Sequence, residues 1–252
     1  MLLDSTYVDV HAHLEMADDP QRLLEEAYAD GIRAVVAVSI NLDSYDRTTK
    51  LASKKVRIYP AIGIHPWEAL AHSHEVGRAM ARVEEAKFVG EIGLDYYFTG
   101  AREREAQLSV FSAFLQACDG TKKVLNIHSV GAERQVLALL KRRSLAHVNL
   151  HWYDAIERMT PLALLPDFVE LGCFFSIPPA VATSKSLREV VRRVPLNNLL
   201  TETDTHPNVK YGGIQSAPKM AAKVVREIGT IKKVDLATVE RTLTRNFARL
   251  IS

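Results

Sequence analysis

Short runs rich in Val, Ile, Phe and Leu recur along the chain, at Tyr7–Val10, Arg33–Ser39, Arg57–Ile64, Phe88–Leu94, Val124–Ile127, Val148–Leu150, Cys173–Ile177 and Leu199–Thr201. Between them lie stretches with apolar residues at helical spacing: Pro20–Ala29, Ser44–Ser53, Arg78–Ala86, Arg102–Cys118, Ala132–Lys141, Pro161–Leu171 and Ser186–Val194. Strand and helix alternate at close to the roughly 30 residues that one β-α-β step needs, which predicts an α/β fold, a single (β/α)8 TIM-type barrel. The strand runs lack clean apolar/polar alternation, as parallel strands buried on both faces do. An open doubly wound sheet would share the pattern, but no Gly-rich phosphate loop follows the first run. Two closing helices are expected at Pro218–Gly229 and Leu236–Ile251, and no linker or repeat divides residues 1–252, so one barrel domain is expected.

The apolar runs repeatedly end in ionisable residues on the side where the chain leaves the strand. Val8-Asp9-Val10 leads to His11 and His13, Ile62-Gly63-Ile64 to His65, and Phe88-Val89-Gly90 to Glu91 and then Asp95. Val124–Ile127 leads to His128, Val148–Leu150 to His151, and Leu199–Thr201 to Glu202 and Asp204. In a barrel these strand ends converge on one face, where active sites are built. His11 and His13 stand two apart, so on a strand both side chains project to the same face, about 7 Å along the backbone. His72 and His74 fall in a polar loop and His147 precedes its strand, so these three are read as structural or solvent-facing.

Imidazoles mixed with carboxylates suit divalent ions, and this set exceeds the three or four side chains that one site takes, so two ions are the economical reading. Glu91 could bridge ions about 3.5–4 Å apart. The bland alternative, an ion pair with a Lys or Arg, fits poorly with a carboxylate placed after a Val-Gly pair. Asp204 could hold an ion and accept a proton from the attacking water, or simply turn the chain ahead of Pro207. Glu202 shares its parity and is a second candidate for proton handling.

Composition changes this picture little. Of 252 residues, 47% are hydrophobic and 25% charged, which excludes a disordered or low-complexity chain, and 32 Lys plus Arg against 30 Asp plus Glu do not announce a nucleic-acid binder. Cys118 and Cys173 stand apart in apolar surroundings, so buried thiols in a reducing compartment are expected. Asp4 occupies the place of a basic leader region, and no apolar run reaches a spanning length, so the expectation is a cytoplasmic protein with no membrane contact and no obligate protein partner.

The ordered series VDVHAHLE, AIGIHPWE, VGEIGLDYY, NIHSVGAE, NLHWYDA, TETDTHP and the late RNFARL resembles the TatD family of metal-dependent deoxyribonucleases, within the amidohydrolase-like barrels, over essentially the whole chain. The resemblance implies two divalent ions (Mg, Mn or Zn), with His11 and His13 at the first, His128 and His151 at the second, Glu91 bridging, and Asp204 completing the first as proton acceptor. It implies a water activated by the two ions, DNA as substrate, single strands or 3′ ends, and removal of nucleotides in the 3′ to 5′ direction. His65 would touch substrate phosphate, Asp95 would support the substrate loop, and Asn246 would be structural.

Three departures bear on the substrate. Val130 stands where the family usually has a basic residue, Trp152-Tyr153-Asp154 replaces a Phe-Ser/Thr-Gly sequence, and the loop after Asp204 has Lys210 as its only basic residue. Arg suits phosphate because its planar fork donates two hydrogen bonds at once. Lys210, Arg102, Arg104 and the Trp152-Tyr153 pair are the candidates to replace it, and Trp67, Trp152 and Tyr153 could stack bases or serve as packing. Two alternatives stay open: a hydrolase of a small amide, lactone or phosphoester, and a barrel that binds metal or nucleic acid without catalysis.

Overall fold

A computed structural model describes residues 7–154 and 162–252. Eight parallel strands follow one another around the sheet in chain order: β1 Tyr7–Ala12, β2 Ile32–Val38, β3 Arg57–Ile62, β4 Phe88–Asp95, β5 Val124–Val130, β6 His147–His151, β7 Phe174–Ile177 and β8 Leu199–Thr201. Helices alternate with them: α1 Pro20–Ala29, α2 Leu42–Thr48, α3 Ala69–His72, α4 Val76–Glu85, α5 Ala101–Cys118, α6 Glu133–Leu140, α7 Leu165–Glu170, α8 Lys185–Arg193, α9 Ala221–Lys232 and α10 Leu236–Leu250. This is the expected (β/α)8 barrel.

Both faces of the strands are covered. Along β2, Val35 and Ala37 pack with Leu24 and Ala27 of α1, while Ala34, Val36 and Val38 pack with residues of other strands and with Phe247 and Leu250 of α10. Every residue of β4 is buried, so its composition is continuous rather than alternating.

The seam between β1 and β8 is closed mostly by individual polar contacts. Asp204 N donates to His11 O at 2.9 Å and His13 N to Thr205 O at 2.9 Å, beside a parallel bridge between Ala12 and Thr205. Thr201 Oγ1 donates to Val8 O at 2.6 Å, and the carboxylate of Asp9 accepts from Thr203 N at 3.0 Å and Thr203 Oγ1 at 2.5 Å. Asp9 is fully buried, and burial pushes its carboxyl up to about 8.

Several boundaries differ from the sequence reading for local reasons. The helix expected at Ser44–Ser53 begins earlier, because Asn41 accepts from Ser44 N as an N-cap, and it ends at Thr48. The one expected at Arg78–Ala86 begins at Val76 and is preceded by a 3-10 turn, Pro66–Glu68, and by α3. His147 does not precede its strand; it is the first residue of β6, paired with Val124. The helix expected from Pro161 starts outside the described residues, and α7 follows a 3-10 turn at Leu162–Leu164; Asp4 is also outside them. A small antiparallel hairpin, β9 Lys210–Tyr211 with β10 Ile214–Gln215, was not anticipated; Gly212 and Gly213 turn it with positive φ. No helix among the described residues is long and apolar enough to cross a membrane, and both cysteines are free and buried, with burial pushing their thiols up to about 12.

Candidate metal centre

The strand-end residues converge on Glu91. Its Oε2 lies 3.3 Å from His11 Nε2 and 3.2 Å from His13 Nε2, and both imidazole nitrogens are 3.6 Å from Asp204 Oδ1. Its Oε1 lies 2.8 Å from His128 Nδ1, 3.4 Å from His151 Nε2 and 3.3 Å from His65 Nε2. One carboxylate therefore presents one oxygen to each of two donor sets. His13 lies just beyond β1 rather than on it, yet its ring still meets that of His11 edge to face at 5.3 Å.

The far nitrogens of His11, His151 and His128 indicate what the near ones can do. His11 Nδ1 faces Asn126 Oδ1 at 2.9 Å, His151 Nδ1 faces the Glu202 carboxylate at 3.3 Å, and His128 Nε2 faces Asp95 Oδ2 at 3.1 Å. An N–H on those far atoms leaves a lone pair on the near ones, the arrangement by which carboxylates and carbonyls orient metal-binding histidines. His65 is reversed. Its Nδ1 accepts from Trp67 N at 3.2 Å, so a neutral His65 carries its proton on Nε2, the atom nearest Glu91. That makes it a hydrogen-bond donor at the mouth of the centre.

A divalent ion fits this donor set. His11 Nε2 is buried and has no hydrogen-bond partner although it is surrounded by carboxylate oxygens, and three groups of His, Glu and Asp, two of them sharing His11, each bring ligand atoms within 4.8 Å of one another. A buried imidazole nitrogen facing carboxylates is satisfied either by a proton or by a cation that accepts its lone pair.

Charge within the cluster follows from burial and proximity. Burial would raise the Glu91 carboxyl, but His65, His11 and His151 outweigh it and hold the group well below its ordinary value. Burial opposes protonation of His11 and His128; the carboxylates nevertheless push them up, to about 10 by Glu91, Asp204 and Glu202 in the first case and to about 9 by Asp95 and Glu91 in the second. His151 is held well below its ordinary value by burial and by His11. In the ion-free protein the surrounding carboxylates thus favour the protonated forms of His11 and His128. Their folded values exceed the ordinary 6.5, so the stability they contribute is complete below pH about 6.5 and is lost as pH rises through about 9 and 10. Ion uptake needs both neutral, so we expect loading at pH 7.5 to release up to about two protons and to tighten as pH rises. Calorimetry in buffers of different ionisation enthalpy measures this.

Beneath the ligands lies a polar floor that sequence reasoning missed. Asn126 Nδ2 donates to Val10 O at 2.6 Å, and Asn149 Nδ2 donates to Asn126 Oδ1 at 3.3 Å and to Ser176 Oγ at 2.8 Å. Ser176 Oγ donates in turn to Glu202. The available signal was an Asn inside each of two apolar strand runs, where a polar residue needs a reason to be buried.

The remaining expected residues fall in different places. Glu202 is fully buried, pushed up to about 8 by burial, and accepts from Trp152 N at 2.9 Å; it orients His151 and the backbone of Trp152. Asp95 is also fully buried. Its Oδ1 accepts from Tyr97 N at 3.0 Å and Phe98 N at 2.9 Å, and its Oδ2 from Trp67 Nε1 at 2.8 Å, so it organises the loop rather than facing substrate. Trp152, with φ 38°, and Lys210 line a cleft of about 440 Å³ with Tyr211 and Lys223. Tyr153 is core, packed against Phe168 and Phe175 with ring centroids 5.6 Å away in each case. Asn246 donates to Leu196 O and Leu199 O at 2.8 Å, holding the start of β8. Arg102 and Arg104 are exposed, and Arg104 donates to Tyr96 O at 2.8 Å. A second cleft of about 450 Å³ runs from His13 past His206, between α1 and the β9–β10 hairpin.

Comparison with known proteins matches this arrangement to a family. A model described as TatD related DNase matches residues 8–252. The chain belongs to the TatD-related DNase family. Human deoxyribonuclease TATDN3 is 26% identical over 261 residues, covering 96% of this chain and 93% of that protein. The uncharacterized metal-dependent hydrolase TatD of Mycobacterium tuberculosis is 30% identical over 244 residues, covering 89% of each. The crystal structure of YjjV, a TatD homologue from Escherichia coli, superposes with a TM-score of 0.85 over 97% of each chain at 23% identity. As a TatD-family member the protein is a metal-dependent hydrolase acting on ester bonds.

Proposed function

We propose that this TatD-family hydrolase is a DNase that uses two divalent ions to remove nucleotides from the 3′ ends of DNA. The observation that carries the reading is the division of Glu91, one oxygen toward His11, His13 and Asp204, the other toward His128 and His151. Divalent ions held by those residues would polarise the phosphodiester and make water a competent nucleophile near neutral pH. Asp204 is the most accessible of the ligand set, with 15% of its side chain exposed, and takes the proton from the attacking water at Oδ1. His65 donates a hydrogen bond from Nε2–H to a phosphate oxygen. Lys210 and Trp152 receive the strand in their cleft.

Two free buried cysteines fit a reducing compartment, and we place the protein in the cytoplasm with no obligate protein partner. One finding favours a second reading: Val130 ends β5 where the resemblance calls for a basic residue, so a small phosphoester or amide competes as substrate. The test is the metal content of the purified protein, followed by digestion of end-labelled single- and double-stranded DNA with Mg, Mn and Zn. Products shortened one nucleotide at a time from the 3′ terminus are expected. Turnover of small esters or amides with no nucleotide release would replace the first reading with the second.

A further inference from the structure

The dipeptide His-Pro occurs twice in the chain, as His65-Pro66-Trp67 and His206-Pro207-Asn208, and in both copies the imidazole touches the ring of a candidate metal ligand. Proline fixes its own φ and keeps the residue before it extended, which turns the chain so that the second amide after the histidine comes back onto the ring. Trp67 N donates to His65 Nδ1 at 3.2 Å, and Asn208 N donates to His206 Nδ1 at 3.1 Å. With Nδ1 accepting, each neutral ring carries its hydrogen on Nε2, and gaining a second proton does not remove it. His206 Nε2 is therefore a donor in either state of charge, and with its lone pair taken by hydrogen it is not a metal ligand.

The two rings flank the centre on opposite donor sets. His65 meets the ring of His128 edge to face at 4.9 Å, and His206 meets that of His13 in the same way at 5.7 Å. His13 lies on Glu91 Oε2 and His128 on Glu91 Oε1, so one N–H donor stands beside each half. His206 is half-buried and lines, with His13, the cleft of about 450 Å³ between α1 and the β9–β10 hairpin. The cations of that cleft are engaged elsewhere, Arg22 and Lys219 both with Glu26, at 2.9 and 2.7 Å. The turn alone does not call for a histidine, because Asn, Asp or Ser would accept from the same amide.

We propose that His206 is a second phosphate-binding residue, donating from Nε2 to a phosphate oxygen at the His13 side of the centre as His65 does at the His128 side. The inference rests on the phosphodiester reading of the centre and names a residue that holds the phosphate there. A phosphodiester has two unesterified oxygens and can take one donor from each side, whereas the carbonyl of an amide or lactone presents a single oxygen. The pair thus favours phosphoesters over carbonyl substrates without a guanidinium, at a site where Val130 supplies no donor.

The test is calorimetric binding of inorganic phosphate to the ion-loaded protein, with ion content measured on the same samples. Ions are loaded first because Asp204 and Glu91 otherwise bring uncompensated negative charge to the same space. His206→Asn keeps an acceptor for Asn208 N and removes the Nε2 donor; His206→Gln places an amide N–H near the position of Nε2. His206→Asn is expected to hold as many ions as the parent and to bind phosphate about 10- to 100-fold more weakly, with His206→Gln recovering most of the loss. No phosphate binding by the parent, unchanged affinity in His206→Asn, or a loss that His206→Gln does not recover overturns the proposal. So does a loss matched by lower ion content, since His206 would then only support His13. Phosphate binding needs no cleavage, so the two readings separate. Weakened binding in His206→Asn with end-labelled DNA left intact by the parent keeps the phosphate role and removes the DNase reading; cleavage of DNA with unchanged phosphate affinity does the reverse.

Discussion

Glu91→Gln is expected to lower phosphodiester turnover by on the order of 10³-fold and to leave the purified protein with less than one ion per chain. Gln keeps the shape of the side chain and removes its charge. It also cannot present a lone pair at both terminal atoms, so the two donor sets lose their common ligand. The effect reaches the imidazoles as well, because Glu91 is a leading cause of the raised values of His11 and His128. Ion content by atomic spectroscopy and initial rates on end-labelled DNA measure the result, with far-UV circular dichroism checking that the barrel persists. A variant with full ion content and a rate within tenfold of the parent would contradict the bridging role.

Gly93→Ala should be among the most damaging single changes outside the ligands. Gly93 pairs with His128 across β4 and β5, and its φ is +150°. A Cβ there would stand 2.0 Å from His128 O and 2.9 Å from His128 N, both backbone atoms that move only if β5 moves. The expected cost is on the order of 3–5 kcal/mol, which in a chain of this size lowers Tm by roughly 10 °C or more. Because β5 carries His128, ion affinity should fall with stability. Gly77→Ala in the first turn of α4 is the control: nothing lies within 4 Å of its added Cβ, and it should be neutral or slightly stabilising. Thermal melts of the two variants beside the parent decide the matter.

The convergence of these side chains was legible in the sequence because a parallel barrel sends every strand end to one face, so apolar runs terminating in His, Glu or Asp mark positions that must meet. What escaped depends on contacts between distant segments. Tyr153 was a candidate for stacking because its neighbours His151 and Trp152 are at the site, but Phe168 and Phe175 arrive from later elements to enclose it. Asp95 was expected to support its loop, but the partners through which it does so, Trp67, His128 and two amides of the loop, are ones that no local pattern announces. The hairpin at Lys210–Gln215 is too short for an alternation of apolar and polar residues to register, and only its Gly-Gly turn hinted at it.

The polar seam has a consequence for when the protein becomes competent. His11 and His13 come from the opening strand and Asp204 from the turn after the closing one, and the atoms that join them are the same ones that shut the barrel. The Asp9–Thr203 contact joins positions 194 apart in sequence, and contacts of such range form late in a folding polypeptide. A nascent chain, or one clipped ahead of Leu199, retains Glu91, His128 and His151 but lacks the carboxylate that completes the other half. Assembly of the candidate centre is thereby tied to closure of the barrel.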